Sequence, residues 1–474
     1  VTAAAATAGG LAAAGPVAAA GSTLKAAAEA QGRYFGTELT GNMINNSTIT
    51  NLAAQQFDMV TPGNEMKWDT TEPSNGSYNF GPGDAIVSFA QSHGMRVRGH
   101  NLVWHSQLPS WVSSLPLNQV QSVMENHITT EASHYKGKVY SWDVVNEPFN
   151  DDGTFRSDVF YQAMGQGYIA DALRTAHAAD PNAQLYLNDY NIEGENAKSN
   201  AMYSLVSSLK SQGVPINGVG FESHFIVGQV PSSLLANMQR FAALGVNVAV
   251  TELDDRIQLP ASSASLQQQA SDYATVVKDC LQVSSCVGVS QWGVGDADSW
   301  IPGTFSGWGA ATMYDANYQP KPAYSAALSA LGGSSSGGGG NGAGSGAIHA
   351  VGAGKCLDVP SLSTTPGTQL DIWTCNGGSN QTWAHTSTGQ LTVYSGSSQR
   401  CMDAYDNQIT PGTKVEIWTC NGGANQQWQL NANGTITGVQ SGLCLGVTGA
   451  STSNGALAEL WTCNGQPDQQ WTLG

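Results

Sequence analysis

Behind residue 346 the chain repeats itself three times, and few features restrict a fold more. Cys356, Cys401 and Cys444 recur at steps of 45 and 43 residues, and Trp383, Trp428 and Trp471 recur at the same steps. Each unit carries a second cysteine 19 positions after the first: Cys375, Cys420 and Cys463. Eight cysteines allow 105 connectivities, but three equal spacings select Cys356 with Cys375, Cys401 with Cys420 and Cys444 with Cys463, leaving Cys280 with Cys286. Closing such a loop stabilises by about 3 kcal/mol in the chain-entropy model, and the bonds persist only in an oxidising compartment. That predicts a secreted, extracellular protein. No Cys-x-x-Cys pair is present, so no metal site is expected. Three units are too few for a propeller, and an all-β trefoil is the expected fold of residues 347–474.

The 15 positions 332–346 hold nine Gly and four Ser, which predicts a flexible linker between this trefoil and what precedes it. The first 20 residues are small and Ala-rich, like the end of a secretory signal peptide lacking its Met and basic segment, and are set aside. Between leader and linker, residues 21–331 alternate short apolar runs with helical patterns such as 265–281. The runs 34–37, 59–62, 96–100, 140–146, 184–188, 218–223, 246–252 and 287–292 predict eight parallel strands, an α/β (β/α)8 TIM barrel. An open doubly wound sheet is the competing arrangement, but no Gly-x-Gly-x-x-Gly follows a strand. Polar residues end these runs: Glu38, Asn64, His100, Glu147, Asn188, Glu222, Glu252 and Trp292. On a TIM barrel that end carries the active site.

Composition narrows the ligand. A net charge of -17 repels nucleic acid and anionic membranes, and no run of 18 strongly apolar residues exists to span a bilayer. Fifty-six Gly set among Ser, Thr and Asn, with 13 Trp, suit a neutral polyhydroxylated ligand such as a carbohydrate. No cofactor is expected, and the chain is expected to act as a monomer. Glu147 and Glu252 each follow an apolar strand run, where a charge is costly without partners or work. Glycoside hydrolysis needs such a pair, one carboxyl to protonate the departing oxygen and one to attack or to activate water.

The segments RGHNLVWHSQLP (98–109), WDVVNEP (142–148), YLNDYNIE (186–193), GFESHF (220–225), VTELD (250–254) and QWGVGDADSW (291–300) resemble, in order, glycoside hydrolase family 10 xylanases. The resemblance implies a retaining endo-β-1,4-xylanase acting on xylan and xylo-oligosaccharides. Glu147 is its implied acid/base and Glu252 its nucleophile, with carboxyls roughly 5 to 5.5 Å apart. His224, oriented by Asp254, is implied to keep Glu252 ionised. His224 and Glu222 are expected on one face of strand six, as are Glu252 and Asp254 on strand seven. Sugar contacts carry over onto Asn64, Lys67, His100, Trp104, Gln107, Asn146, Tyr190, Glu222, Trp292 and Trp300, while Trp68, Trp111, Trp142 and Trp308 are read as core. A β-1,4-glucanase, or a lectin with an inactive barrel, are the alternatives.

Two positions depart from the family. Gly63 stands where Glu is common, so a sugar-gripping carboxylate two sites from the cleavage point is expected to be absent and binding there weaker. Glu222 stands where Gln is usual, so either it is protonated or it raises its neighbours' pKa values. The repeats ending QTW (381–383), QQW (426–428) and QQW (469–471) resemble ricin-B-type lectin domains, the family 13 carbohydrate-binding modules, in which these Trp are core. That resemblance implies sugar sites at Asp358, Trp373, Asn376 and Asn380, and at Asp403, Trp418, Asn421 and Asn425. The third repeat has Gly446 for the Asp and Asp468 for the last Asn, so two working sites are expected.

Overall fold

The computed structural model describes residues 23–333, 345–386, 389–431 and 434–473. The leader 1–20 and the centre of the linker lie outside the described residues. Eight parallel strands form the barrel: β1 Tyr34–Leu39, β2 Met59–Pro62, β3 Arg96–Trp104, β4 Ser141–Asn146, β5 Gln184–Asp189, β6 Gly218–Phe221, β7 Asn247–Gln258 and β8 Cys286–Gln291. Neighbours pair in order, and β8 closes the ring on β1, with Tyr34 opposite Gly288. The strands are short and buried on both faces, as a parallel sheet wrapped in helices requires. The helix expected over 265–281 spans Ser263–Gln282, started by Ser262, whose hydroxyl accepts from Ser265 N in a capping box.

The expected boundaries shift in three places. Strand six stops at Phe221 rather than 223, because Ser223 takes a left-handed φ of 65°, and pairing resumes in a short strand, His224–Ile226, against β7. Strands three and seven run four and six residues past their expected ends, so His100, Glu252 and Asp254 sit within strands. Ser345 and Gly346, expected in the linker, pair with Ala384 and Trp383, since a ladder uses backbone groups that a Gly/Ser composition does not reveal. At the other end of that segment Gly332 and Gly333 close the last barrel helix, Pro322–Ala330, by donating to Ser329 O and Leu328 O.

The repeat region is an antiparallel trefoil with its own apolar core. In each unit the first cysteine stands opposite a tryptophan in a hairpin: Cys356 opposite Trp373, Cys401 opposite Trp418 and Cys444 opposite Trp461. All four expected disulfides are formed. Trp383, Trp428 and Trp471 are buried, and each indole donates to the carbonyl 26 residues earlier, Leu357, Met402 and Leu445. The Gln of each Gln-x-Trp ties down backbone, since Gln381, Gln426 and Gln469 accept from the N–H of Asn376, Asn421 and Asn464. Of the barrel tryptophans read as core, Trp68 and Trp142 are buried, whereas Trp111 and Trp308 are only half-buried.

Candidate active site

The C-terminal strand ends open into a cavity of about 560 Å³. It is lined by Asn64, Lys67, His100, Trp104, Gln107, Asn146, Glu147, Tyr190, Glu222, His224, Glu252, Trp292 and Trp300, so residues from most of the barrel's length meet there. Asp254 is fully buried beneath it. Glu147 is the first residue past β4 and adopts a left-handed φ of 50°, a conformation that costs a non-glycine residue on the order of 1–3 kcal/mol. Its N–H is fixed by Asn188 O at 2.8 Å, and Arg156 holds it from the other side, with Nε donating to Glu147 O at 2.9 Å and Nη2 3.6 Å from Oε2.

The two carboxyls differ in surroundings. Burial, reinforced by the charge of Glu252, raises the Glu147 pKa against the lowering pull of Trp104 and Arg156. Burial also acts to raise Glu252, but His100 and His224 outweigh it and hold that carboxyl below its usual value. His224 reaches Glu252 Oε2 at 3.4 Å through Nε2, while its Nδ1 lies 3.0 Å from Asp254 Oδ2. Burial would strip the imidazole of its proton, yet these carboxylates push its pKa up to about 10. Trp300 Nε1 donates to Asp254 Oδ2 at 2.7 Å and stands edge-on to His224.

Burial, with Glu252 and Glu147 close by, pushes the Glu222 pKa well above the carboxylate range, which favours its neutral form. It reaches His224 as expected, at 3.6 Å, although the strand breaks between them. Glu222, His224 and Glu252 bring one ligand atom each within 4.8 Å of one another, but a metal there would have to displace the His224 proton. The other trio with that spacing, His349, Cys356 and Cys375, has its sulfurs bound in a disulfide.

At the opposite end of the cleft Lys67 Nζ donates to Asn64 Oδ1 at 3.1 Å and Gln107 Oε1 at 2.7 Å and lies 5.0 Å from the Trp104 ring. Tyr190 accepts from Arg156 Nη2 at 2.7 Å, and Trp292 packs edge-on to His100.

Sequence reasoning gave the supports no role, although it placed Asn188 at a strand end. Asn188 Nδ2 faces three acceptors, Asn146 Oδ1, Glu222 Oε1 and Glu252 Oε1 at 2.9, 3.1 and 2.9 Å, and its Oδ1 accepts from Thr251 Oγ1 at 2.7 Å. Asp143 is fully buried between the Arg98 guanidinium, which grips both its oxygens, and His100 Nδ1 at 3.0 Å. His100 in turn stands 3.8 Å from Glu252 Oε1, so a chain of polar side chains runs from the barrel interior to that carboxylate. The available signal was a lone Asp inside the apolar run WDVV.

A family model described as glycosyl hydrolase family 10 matches residues 23–330, and one described as the ricin-type beta-trefoil lectin domain matches residues 344–471. The chain belongs to glycosyl hydrolase family 10. Within the family it is 50% identical over 306 residues to endo-1,4-beta-xylanase A of Phanerodontia chrysosporium, covering 64% of this chain and 75% of that protein. It is 51% identical over 302 residues to the endo-1,4-beta-xylanase of Agaricus bisporus, covering 63% and 91%. Among solved structures, xylanase 10B of Thermotoga maritima superposes with a TM-score of 0.64 at 41% identity, covering 65% of this chain and 98% of that one. The same score and identity hold for xylanase 10B of Thermotoga petrophila in complex with xylobiose, covering 65% and 97%.

On the trefoil, Trp373 and Trp418 are exposed rings beside the buried Asp358 and Asp403. Asn380 and Gln381 both donate to Asp358 Oδ1 at 2.8 Å, leaving Oδ2 without a protein donor among the described residues. Asn425 and Gln426 hold Asp403 with the same pair of side chains but one on each oxygen, Oδ1 and Oδ2. Asn376 and Asn421 close local turns onto Gly378 N and Gly423 N. At the third repeat Trp461, Glu459 and Asp468 line a hollow of about 790 Å³, but no carboxylate issues from position 446, and Gln469 bonds the backbone at Asn464 N and Thr462 O.

Proposed function

We propose that this family 10 chain is a retaining endo-β-1,4-xylanase in which Glu147 and Glu252 carry the reaction. The observation that bears most weight is the opposed tuning of two carboxyls in one cleft, Glu147 raised and Glu252 lowered. Glu252 attacks the anomeric carbon while the bond to the glycosidic oxygen breaks and Glu147 gives that oxygen its proton. The glycosyl ester so formed removes the Glu252 charge that had helped raise Glu147, so Glu147 becomes a stronger acid and rests as carboxylate. Water then attacks the same carbon, Glu147 takes its proton and the ester breaks, giving two inversions and net retention. Protonated His224 donates to Glu252 in the resting state, and Asp254 keeps that imidazole charged and oriented.

Asn64, Lys67, Gln107, Asn146 and His100 offer directional bonds to sugar hydroxyls, and Trp104, Tyr190, Trp292 and Trp300 offer flat faces to the pyranose rings. The trefoil adds a sugar site at each of its first two repeats, which would keep the enzyme on its polymer. Extracellular action fits the four disulfides, and no described helix is long and apolar enough to cross a membrane. Initial rates of reducing-end release from soluble xylan and from carboxymethylcellulose test the reading. Xylan should be strongly preferred, and equal or reversed rates would refute it.

A further inference from the structure

Gly63 follows β2 and does not carry a positive φ, so its backbone would accept any residue. What a side chain there would meet is the far end of Glu38. A Cβ at position 63 would fall inside the van der Waals shell of Glu38 Oε1, 2.8 Å from Glu38 Cδ and 3.0 Å from Thr40 Cγ2. The Glu38 carboxyl, reaching over from β1, therefore occupies the place where a side chain at 63 would begin. It lines the cleft beside Thr40, Asn64 and Lys67 and is 6% exposed. The neighbouring carboxylate, Glu65, is already spent on backbone: its oxygens accept from Gly41 N at 2.6 Å and Asn64 N at 3.0 Å. Glu38 has no such partner, since among the described residues no protein group donates a hydrogen bond to its carboxyl. Burial, against the opposing charge of Lys67, pushes its pKa up to about 8. Its carboxyl therefore faces the cleft with acceptor capacity that the hydroxyls of a ligand can fill.

We infer that Glu38 is a substrate-binding residue, its two oxygens taking adjacent hydroxyls of the xylosyl residue that lies on Asn64 and Lys67, and that Gly63 is the gap that admits it. This rests on the xylanase reading above, and it corrects the expectation that Gly63 leaves this end of the cleft without a carboxyl. The carboxyl is present, delivered from another strand.

The test is a reciprocal exchange in the full-length enzyme, using an aryl β-xylobioside, which reaches one sugar further from the cleavage point, and an aryl β-xyloside, which does not. For Glu38→Ala the ratio of kcat/KM on xylobioside to that on xyloside should fall by about tenfold to a hundredfold, the worth of hydrogen bonds to a carboxyl group. Glu38→Gln, which keeps the shape, should lower the ratio less. Gly63→Glu alone should be impaired by its collision with Glu38, and Glu38→Ala with Gly63→Glu should recover much of the ratio. Thermal melts of each variant separate loss of grip from loss of fold, because a folding defect scales both substrates together. An unchanged ratio in Glu38→Ala, or a double variant no better than Gly63→Glu, would overturn the inference. Failure of the unaltered enzyme to cleave either the xylobioside or xylan would instead sink the function it rests on.

Discussion

Replacing His224 by Gln removes the charge that ties Glu252 to Asp254, and the structure sets how that loss depends on pH. An unfolded histidine titrates near 6.5, whereas in the fold His224 is raised to about 10. A raised cation stabilises the fold fully below the unfolded pKa and ceases to do so as pH rises through the folded one. At 1.36 kcal/mol per unit, His224 contributes about 4 kcal/mol at pH 7 and less than about 1 kcal/mol at pH 10. The native imidazole gives up its proton towards the upper end of the window from pH 7 to 10. Urea unfolding of the barrel, followed by tryptophan fluorescence at half-unit steps, should show the gap between native and variant closing by about 3 to 4 kcal/mol across that window. Parallel curves would refute the claim that His224 is protonated in the resting site, and with it the His224 share of what lowers the Glu252 pKa.

Glu222→Gln should keep most of the activity and leave both limbs of the pH-rate profile in place, because Glu222 is already neutral while Glu147 and Glu252 work; a displaced limb would show that it carries charge. Calorimetric titration of the trefoil, residues 344–474, with xylotriose should give a stoichiometry near two. Asp358→Ala should remove one site by weakening it about tenfold to a hundredfold, and a stoichiometry near three would show that Asp468 serves in the third repeat. Replacing Cys401 and Cys420 together by Ser should lower trefoil stability by about 3 kcal/mol in urea, and an unchanged midpoint would contradict the entropic account of these loops.

Much of this architecture was readable from residue order because each feature has a local signature. Equal Cys spacings fixed three disulfides, Gln-x-Trp marked the trefoil core, and apolar runs ended by polar residues located all eight barrel strands. What escaped was whatever depends on the third dimension. Asn188 could be placed at a strand end, but its contact with Asn146, Glu222 and Glu252 exists only once the ring closes. The Arg98–Asp143–His100 line runs across two neighbouring strands and has no spacing to betray it. The Glu222–His224 face was foreseen for the wrong reason, since period-two alternation does not continue through the left-handed Ser223. A glycine at 63 reads as a missing group until Glu38 is seen filling its space.

The central claim is double displacement by Glu252 with acid and base assistance from Glu147, and the anomeric form of the first product tests it most directly. Proton NMR of xylohexaose hydrolysis, recorded within the first minutes before mutarotation, should show the β-anomer at the new reducing end, and initial accumulation of the α-anomer would contradict the account.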